Sequence, residues 1–200
     1  MKLTKLPLVA ALSLLVLSSN AWAQSTKRLI DEVNPFIGTS NFGTTNPGAV
    51  VPNGLMSITP FNVSGSPELN KFDKDKRWWS TPYTADNKFF SGFSHVNLSG
   101  VGCPELGSII VSASAGDLDV DYTHYGSAMS EEKAHPGYYS VQLDKHKIKA
   151  EVTATQRTAV SAFTFERGGK SNILVNLGLG LTNESGATVR FLNDSTIVGS

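Results

Sequence analysis

The chain has 200 residues, 40% of them hydrophobic and 17% charged, with 17 basic residues balanced by 17 acidic ones. This apolar content without net charge excludes an intrinsically disordered chain, and the lack of a basic excess excludes nucleic acid and anionic membranes as partners. The 18 glycines and 9 prolines follow no fixed period, which excludes collagen and favours many turns between short strands.

The first 23 residues have the pattern of a cleaved secretory signal. Two lysines precede an apolar run over residues 8–17, and Ala21-Trp22-Ala23 puts small residues at both positions that a signal peptidase reads. A membrane anchor is the alternative, but a spanning helix needs about 20 apolar residues. We expect a signal peptide over residues 1–23, export to the periplasm or medium of a bacterial host, and a mature domain over residues 24–200.

The segment over residues 33–108 is rich in Gly, Pro, Asn and aromatic residues and shows few clear strand patterns. A loop this long is usually disordered or a binding surface, and its aromatic side chains argue against disorder. We therefore predict a long ordered loop region that carries function. Within it, Asn70, Asp73 and Asp75 lack the glycine and the distal glutamate of a calcium loop, so we predict a surface turn and assign no metal ligand.

Five later runs are rich in β-branched or aromatic residues and are predicted strands. They cover residues 108–112, 138–143, 148–155, 160–165 and 172–177. Turn residues separate them at intervals of about ten residues, with no long helical run between them. The pattern predicts an all-β fold, an antiparallel β-sandwich.

One short helix is predicted at residues 130–134, where Ser-Glu-Glu-Lys-Ala offers an N-cap and Pro136 ends the helix within about one turn. Glu131 and Glu132 are adjacent and therefore point to different faces. We expect a solvated turn there rather than an acid and base pair.

The chain contains one cysteine, Cys103, so no intramolecular disulfide can form. The exported domain must depend on a packed core for its stability, and roughly 177 residues are enough for one. We expect Cys103 to be a buried structural thiol or a side chain that lines a pocket, because nothing establishes an activated thiolate.

Two blocks of residues resemble a known enzyme family. Residues 33–39 read Val-Asn-Pro-Phe-Ile-Gly-Thr and are followed by Pro-Gly-Ala at 47–49 and Pro-Asn-Gly at 52–54. Residues 92–103 read Gly-Phe-Ser-His-Val-Asn-Leu-Ser-Gly-Val-Gly-Cys. In order, spacing and position these blocks resemble the N-terminal domain of glycoside hydrolase family 92, the exo-acting α-mannosidases.

The resemblance implies a two-domain enzyme that hydrolyses terminal α-mannosidic bonds with inversion. In that family an N-terminal β-sandwich is joined to a C-terminal (α/α)6 barrel, which supplies the general acid Glu and the general base Asp. The chain then resembles an N-terminal fragment with an incomplete sandwich, no catalytic residue and no activity alone. The resemblance also implies a bound Ca²⁺ in the whole enzyme and mannose-containing glycans as its substrates.

Part of the substrate pocket is expected in this domain. By resemblance, a Trp in this region shapes the leaving-group subsite of α-1,2-mannosidases, and Trp78 or Trp79 is the nearest match. Together with Tyr83, these side chains combine flat apolar faces with a polar group, as a sugar requires. The alternative is that one or both Trp rings cover the core of the sandwich.

Three residues of the second block are further candidate substrate ligands. His95 is expected to donate a hydrogen bond to a mannose hydroxyl, and Asn97 and Cys103 are expected to line the same pocket. The family pattern more often has Thr, His and Thr at positions 96, 97 and 101, so the linkage preference stays open.

A second function remains open, a secreted carbohydrate-binding module that grips glycans through Trp78, Trp79 and Tyr83 without hydrolysis. A reading frame that continues past Ser200 into a helical domain with acidic catalytic positions would favour the enzyme. A third class, the adhesins, is expected to show repeats, and the sequence shows none.

Overall fold

The computed structural model of the protein describes residues 28–41, 43–63, 81–100, 102, 106–121, 123–166, 168–181 and 186–200. The predicted signal peptide, the predicted turn at residues 70–75 and the candidate site residues Trp78, Trp79 and Cys103 lie outside these ranges. The chain divides into two compact units, residues 1–32 and residues 33–200. The described part of the first unit contains a short 3-10 helix, Leu29–Glu32.

The described part of the second unit is built from twelve strands. They are β1 (Ala49–Val50), β2 (Ser57–Phe61), β3 (Phe89–Phe90), β4 (Gly92–Asn97), β5 (Leu106–Ala115), β6 (Ser127–His135), β7 (Tyr138–Leu143), β8 (Ile148–Ala154), β9 (Ala159–Phe165), β10 (Ser171–Asn176), β11 (Val189–Asn193) and β12 (Thr196–Gly199). In these ranges we find no helix with the length and apolar character needed to cross a membrane.

The strands pair in an antiparallel manner and form two five-stranded sheets. The first sheet has the order β1-β2-β4-β5-β10, and the second has the order β3-β6-β7-β8-β9. The last two strands, β11 and β12, form a separate hairpin. The predicted all-β, antiparallel fold is confirmed.

The main hydrophobic core lies between the two sheets. Ile58 and Phe93 contribute to it from the first sheet, and Tyr139 and Ile148 contribute from the second. The Phe93 ring meets the Tyr139 ring edge-on, with centroids 6.2 Å apart. Each such side chain stabilises the fold by about 1.5–3 kcal/mol when it is fully buried, so this layer holds the sheets together.

The five predicted strands are all present. Residues 108–112 lie within β5, and residues 138–143 are strand β7. The other three predictions correspond to β8, β9 and β10, each shifted by no more than one residue at either end. Strand β8 shows why such a prediction succeeds, because its four buried residues alternate with three more exposed ones.

The prediction of few strands over residues 33–108 is wrong. This segment is ordered where it is described, but it contains β1, β2, β3 and β4 in full. Strand β2 (Ser-Ile-Thr-Pro-Phe) is buried at all five of its positions, polar residues included, and Pro60 inside it argues against a strand. The sequence pattern therefore missed it.

The predicted helix at residues 130–134 is also wrong, because these residues lie in strand β6. Pairing with β7 and the burial of Met129 and Ala134 against the core outweigh the weak helical preference of this run. The predicted solvated turn at Glu131 and Glu132 is wrong for the same reason. Glu131 is exposed, whereas the Glu132 side chain is only 10% exposed.

Candidate functional site

The block over residues 92–103 forms strand β4 and the residues that follow it. The first three residues of β4 are buried, whereas His95, Val96 and Asn97 are partly exposed. Phe93 fixes the buried part of the strand through its contacts with Phe90 and Tyr139. The core therefore holds one end of β4 and presents the other end at the surface.

Backbone strain is concentrated around this exposed end of β4. Val96 (φ +56°), Leu106 (φ +66°) and Ile109 (φ +56°) all adopt left-handed conformations. Such a conformation costs a non-glycine residue on the order of 1–3 kcal/mol, and β-branched residues most. The pairing of β4 with β5 also shifts its register between Phe93 and His95. Bulges and strain of this kind are typical of functional sites.

His95 is held in one orientation by strand β5. Its Nδ1 lies 2.7 Å from the carbonyl oxygen of Ile109. Because a carbonyl oxygen only accepts hydrogen bonds, Nδ1 must carry the proton. Burial lowers the pKa of His95, with a smaller opposing effect from this hydrogen bond, so the neutral ring is favoured near pH 7. The neutral ring offers Nε2 as an acceptor, whereas the sequence led us to expect a donor.

Asn97 is engaged within its own sheet. Its Nδ2 donates to the carbonyl oxygens of Ser94 at 3.1 Å and Ser57 at 3.4 Å, and its Oδ1 accepts from the Ser94 hydroxyl at 2.8 Å. A Cβ added at Gly107, where φ is +71°, would lie 3.0 Å from that Oδ1, so glycine is favoured there. These contacts tie Asn97 to β2 and β4. Its role as a substrate ligand stays a prediction.

One buried asparagine, Asn62, joins the residues on either side of the segment over residues 64–80. That segment contains Trp78 and Trp79, the candidate sugar contacts. The backbone N–H of Asn62 donates to the carbonyl oxygen of Pro82 at 2.9 Å. Its Nδ2 donates to the carbonyl oxygens of Thr84 at 2.7 Å and Asn87 at 2.8 Å, and its Oδ1 accepts from the Thr84 N–H at 2.8 Å. The chain before residue 64 and the chain after residue 80 are thus held side by side.

The expectation that Tyr83 contacts a sugar is wrong. Its side chain is packed into the core between the sheets, and the residue is only 1% exposed. Its hydroxyl donates to Oε2 of Glu132 at 2.8 Å. Burial and the nearby Glu132 carboxylate raise the pKa of Tyr83 far above its ordinary value, so the hydroxyl stays protonated.

Glu132 is a residue that the sequence analysis missed. Its Oε2 accepts hydrogen bonds from the hydroxyls of Tyr83 and Tyr139, each at 2.8 Å, and its Oε1 lies 2.7 Å from Nζ of Lys88. These partners lie 49, 7 and 44 positions away in sequence. No local pattern around Glu132 identifies them, because a run of Glu-Glu-Lys-Ala ordinarily faces solvent.

An apolar cleft of about 370 Å³ lies beside Ile109, between β5, β10 and the β11–β12 hairpin. Val175, Leu177, Val189 and Val198 are among its lining residues. A sugar needs polar partners for its hydroxyl groups as well as apolar contact. We therefore assign no sugar to this cleft.

The implied Ca²⁺ finds no cluster of acidic side chains among the residues that the structure describes. Calcium takes six to eight oxygen ligands, several of them carboxylates. In the described ranges, no three His, Cys, Asp or Glu side chains are grouped so that they would hold a metal ion. None of these residues is assigned as a calcium ligand.

The chain is similar in sequence and in fold to members of one enzyme family. Residues 32–200 match the glycosyl hydrolase family 92 N-terminal domain. The family GH92 alpha-mannosidase BT3965 from Bacteroides thetaiotaomicron has a solved structure that is 30% identical, with a TM-score of 0.77, over 86% of this chain and 23% of that one. The GH92 family glycosyl hydrolase ccman5 is 26% identical, with a TM-score of 0.65, over 84% of this chain and 23% of that one.

A protein of known sequence is also similar. An uncharacterized secreted glycosidase of Arthroderma benhamiae is 28% identical over 178 residues, which are 82% of this chain and 21% of that protein. The chain thus spans less than a quarter of the length of the relatives it matches. The antiparallel fold and the two sequence blocks agree with the family match, and the chain belongs to glycoside hydrolase family 92 through its N-terminal domain.

Proposed function

We propose that the whole protein is a secreted α-mannosidase that hydrolyses terminal α-mannosidic bonds with inversion, and that this domain supplies part of the substrate pocket. The observation that carries the proposal is the likeness to the alpha-mannosidase BT3965, at 30% identity over 86% of the chain. The exposed, strained end of β4 supports the pocket role, because Ile109 fixes the orientation of His95 there.

The catalytic groups are proposed to lie in the remainder of the enzyme. An inverting glycosidase needs a general acid and a general base, with carboxyl groups roughly 6.5–9.5 Å apart so that water fits between the base and the sugar. The family resemblance assigns both groups to a C-terminal (α/α)6 barrel. In this domain the Glu132 carboxylate already accepts three hydrogen bonds, so it is proposed for neither role. We expect this chain alone to hydrolyse no mannoside.

His95 is proposed to accept a hydrogen bond from a mannose hydroxyl through Nε2. The bond from Nδ1 to Ile109 fixes the ring, so little side-chain entropy remains to be lost when the sugar binds. A sugar hydroxyl can donate and accept hydrogen bonds, and Nε2 of the neutral imidazole can accept the hydrogen bond that it donates. Asn97 and Cys103 are kept in the proposal as residues of the same wall.

Trp78 and Trp79 are proposed to form the aromatic part of the wall. Their support is the family resemblance and the chemistry of sugars, whose C–H patches stack on aromatic faces. Asn62 holds Pro82 and Thr84, which follow the two tryptophans in the sequence, beside the end of β2. Tyr83 is removed from the wall because it is buried.

The remaining parts of the proposal concern the whole enzyme. Ca²⁺ is proposed to bind there. Mannose-containing glycans are the proposed substrates, and the catalytic barrel is the proposed partner domain. A cleaved signal peptide over residues 1–23 and a periplasmic or secreted location complete it. The similar Arthroderma protein is itself described as secreted.

The carbohydrate-binding module is the weaker alternative. It relied on three side chains, Trp78, Trp79 and Tyr83, and the burial of Tyr83 removes one of them. The family match favours an enzyme, because the similar structures include an alpha-mannosidase.

Proton NMR of the first-formed product tests the proposed function. The whole protein is incubated with an α-mannosyl substrate and Ca²⁺, and the anomeric signals are followed from the first minutes. Inversion predicts that β-mannose appears first and then equilibrates with the α anomer. The appearance of α-mannose first, or binding of mannosides without turnover, would contradict the proposal.

A further inference from the structure

Strand β6 contains a bulge at Glu131 and Glu132. In its pairing with β7, Ser130 lies opposite Gln142 and Lys133 lies opposite Ser140. Two residues of β6 therefore face the single residue Val141 of β7, and Glu131 adopts a φ of +51°. A bulge of this kind reorients the side chains that follow it.

The bulge reverses which residues of β6 face the core. Met129 is buried in the core, so an unbroken strand would turn Glu131 inward and Glu132 outward. Instead Glu131 is exposed, Glu132 is mostly buried and Ala134 packs against the core. The strained backbone at Glu131 therefore directs the carboxylate of the next residue, Glu132, into the protein.

A carboxylate in such a place is unfavourable unless donors surround it. Here both oxygens of Glu132 are used, since Oε2 accepts from two tyrosine hydroxyls and Oε1 accepts from the Lys88 ammonium. Tyr139 belongs to the second sheet, as Glu132 does. Tyr83 and Lys88 belong instead to the segment over residues 81–88, which precedes β3 in the chain.

This segment is therefore held from two sides. Asn62, directly after β2 of the first sheet, bonds to Pro82, Thr84 and Asn87. Glu132, in the second sheet, bonds to Tyr83 and Lys88. Trp79 precedes Thr81 by two residues in the sequence.

We propose that Glu132 is a positioning residue, whose bulge-directed carboxylate fixes residues 81–88, the segment that follows Trp78 and Trp79 in the sequence, against the second sheet. Its effect on catalysis rests on the proposed function. Its effect on residues 81–88 does not, and it is measured without substrate.

Hydrogen exchange with mass spectrometry tests the local effect in the whole protein without substrate. The reporter is the peptide over residues 81–91, whose amides of Thr84, Ala85 and Ser91 are hydrogen-bonded in the structure. Glu132→Gln keeps the side-chain size but removes the charge that holds Lys88. We expect exchange in this peptide to become about tenfold faster, with a much smaller change in the β5 peptide over residues 106–115.

Two further variants make the result specific. Glu131→Gln removes the same charge from the exposed neighbour on the same strand, and we expect wild-type exchange. Tyr83→Phe keeps the ring in the core and removes one hydrogen bond, so exchange over residues 81–91 is expected to rise less than in Glu132→Gln. Wild-type exchange in Glu132→Gln, or an equal acceleration in both peptides, would overturn the proposal.

The catalytic consequence is measured in the whole enzyme. Glu132→Gln is expected to raise the KM for an α-mannoside severalfold and to change kcat less, because residues 81–88 directly follow the proposed wall in the sequence and Glu132 is no reacting group. An equal loss in kcat at unchanged KM would overturn this part. Absence of mannosidase activity in the wild-type protein would contradict the proposed function and leave the exchange result standing.

Discussion

The Nδ1 atom of His95 lies 2.7 Å from the carbonyl oxygen of Ile109, and Ile109 presents that carbonyl from a backbone with φ of +56°. An isoleucine is among the residues that tolerate this conformation least. The strain on β5 and the fixed imidazole on β4 are therefore parts of one arrangement. It determines which ring nitrogen of His95 is left for a ligand.

Replacing His95 by Asn distinguishes the roles of its two ring nitrogens. The amide of Asn reaches the position of Nδ1 and keeps a donor for the Ile109 carbonyl, but nothing replaces Nε2. We expect kcat/KM of the whole enzyme for an α-mannoside to fall about tenfold, the size of one lost hydrogen bond of about 1.4 kcal/mol. His95→Gln, which reaches the Nε2 position, is the matched control. Unchanged kinetics in His95→Asn would show that Nε2 contacts no substrate.

His95 also predicts a pH dependence of stability. Burial lowers its folded-state pKa below its ordinary value of about 6.5, so the unfolded state binds more protons between the two values. The free energy of unfolding should therefore fall as the pH drops below about 6.5, and it should reach a lower plateau below the folded-state pKa. Urea titrations of the wild type and His95→Asn between pH 5 and about 7.5 measure the difference. An equally steep fall in both proteins would contradict this assignment.

The aromatic wall is tested by replacing Trp78 and Trp79 singly with Ala in the whole enzyme. Replacing the Trp that stacks on sugar should raise the KM for an α-mannoside by about tenfold, with little change in the melting temperature. Replacing a Trp whose ring covers the core should instead lower the free energy of unfolding by about 3–5 kcal/mol, which thermal unfolding detects. Wild-type kinetics in both variants would refute the wall.

Asn62 should be among the least replaceable polar residues of the domain. Asn62→Ala removes three side-chain hydrogen bonds inside the protein and leaves the carbonyl oxygens of Thr84 and Asn87 without this donor. We expect the free energy of unfolding to fall by about 3–5 kcal/mol. Asn34, whose side chain accepts one exposed bond from the N–H of Phe36, is the control, and Asn34→Ala should cost about 0.5–1 kcal/mol. Similar losses in the two variants would contradict this reading of Asn62.

The bulge in β6 predicts a stabilising substitution. Glu131 is exposed and strained, with a φ of +51°, and Asn adopts this conformation more readily than Glu. Glu131→Asn should raise the free energy of unfolding by about 0.5–1 kcal/mol. Lys133 is an exposed residue of the same strand, and Lys133→Asn should not stabilise, because Asn is disfavoured in ordinary strand geometry. A loss of stability in Glu131→Asn would argue against strain at this position.

The sequence by itself was sufficient for strands β7 to β9 and for the fold class. Strands β8 and β9 alternate more buried and more exposed residues, so their sequences show a period of two, and β7 is rich in aromatic and β-branched residues. Strand β2 was missed because it contains Pro60 and because its polar residues Ser57 and Thr59 are buried together with its apolar ones. The family was likewise readable, since the blocks at residues 33–54 and 92–103 are contiguous runs.

Only the tertiary structure decided that Tyr83 and Glu132 are buried, and that Nε2 of His95 is an acceptor. Each depends on a partner that is distant in sequence, such as the 49 positions between Tyr83 and Glu132. Local composition indicated a surface aromatic and a solvated acid, but one extra residue in β6 turned the acid inward and gave the tyrosine a buried partner. Burial and hydrogen-bond partners depend on residues that pack together from distant parts of the chain. They therefore cannot be predicted from a run of adjacent residues.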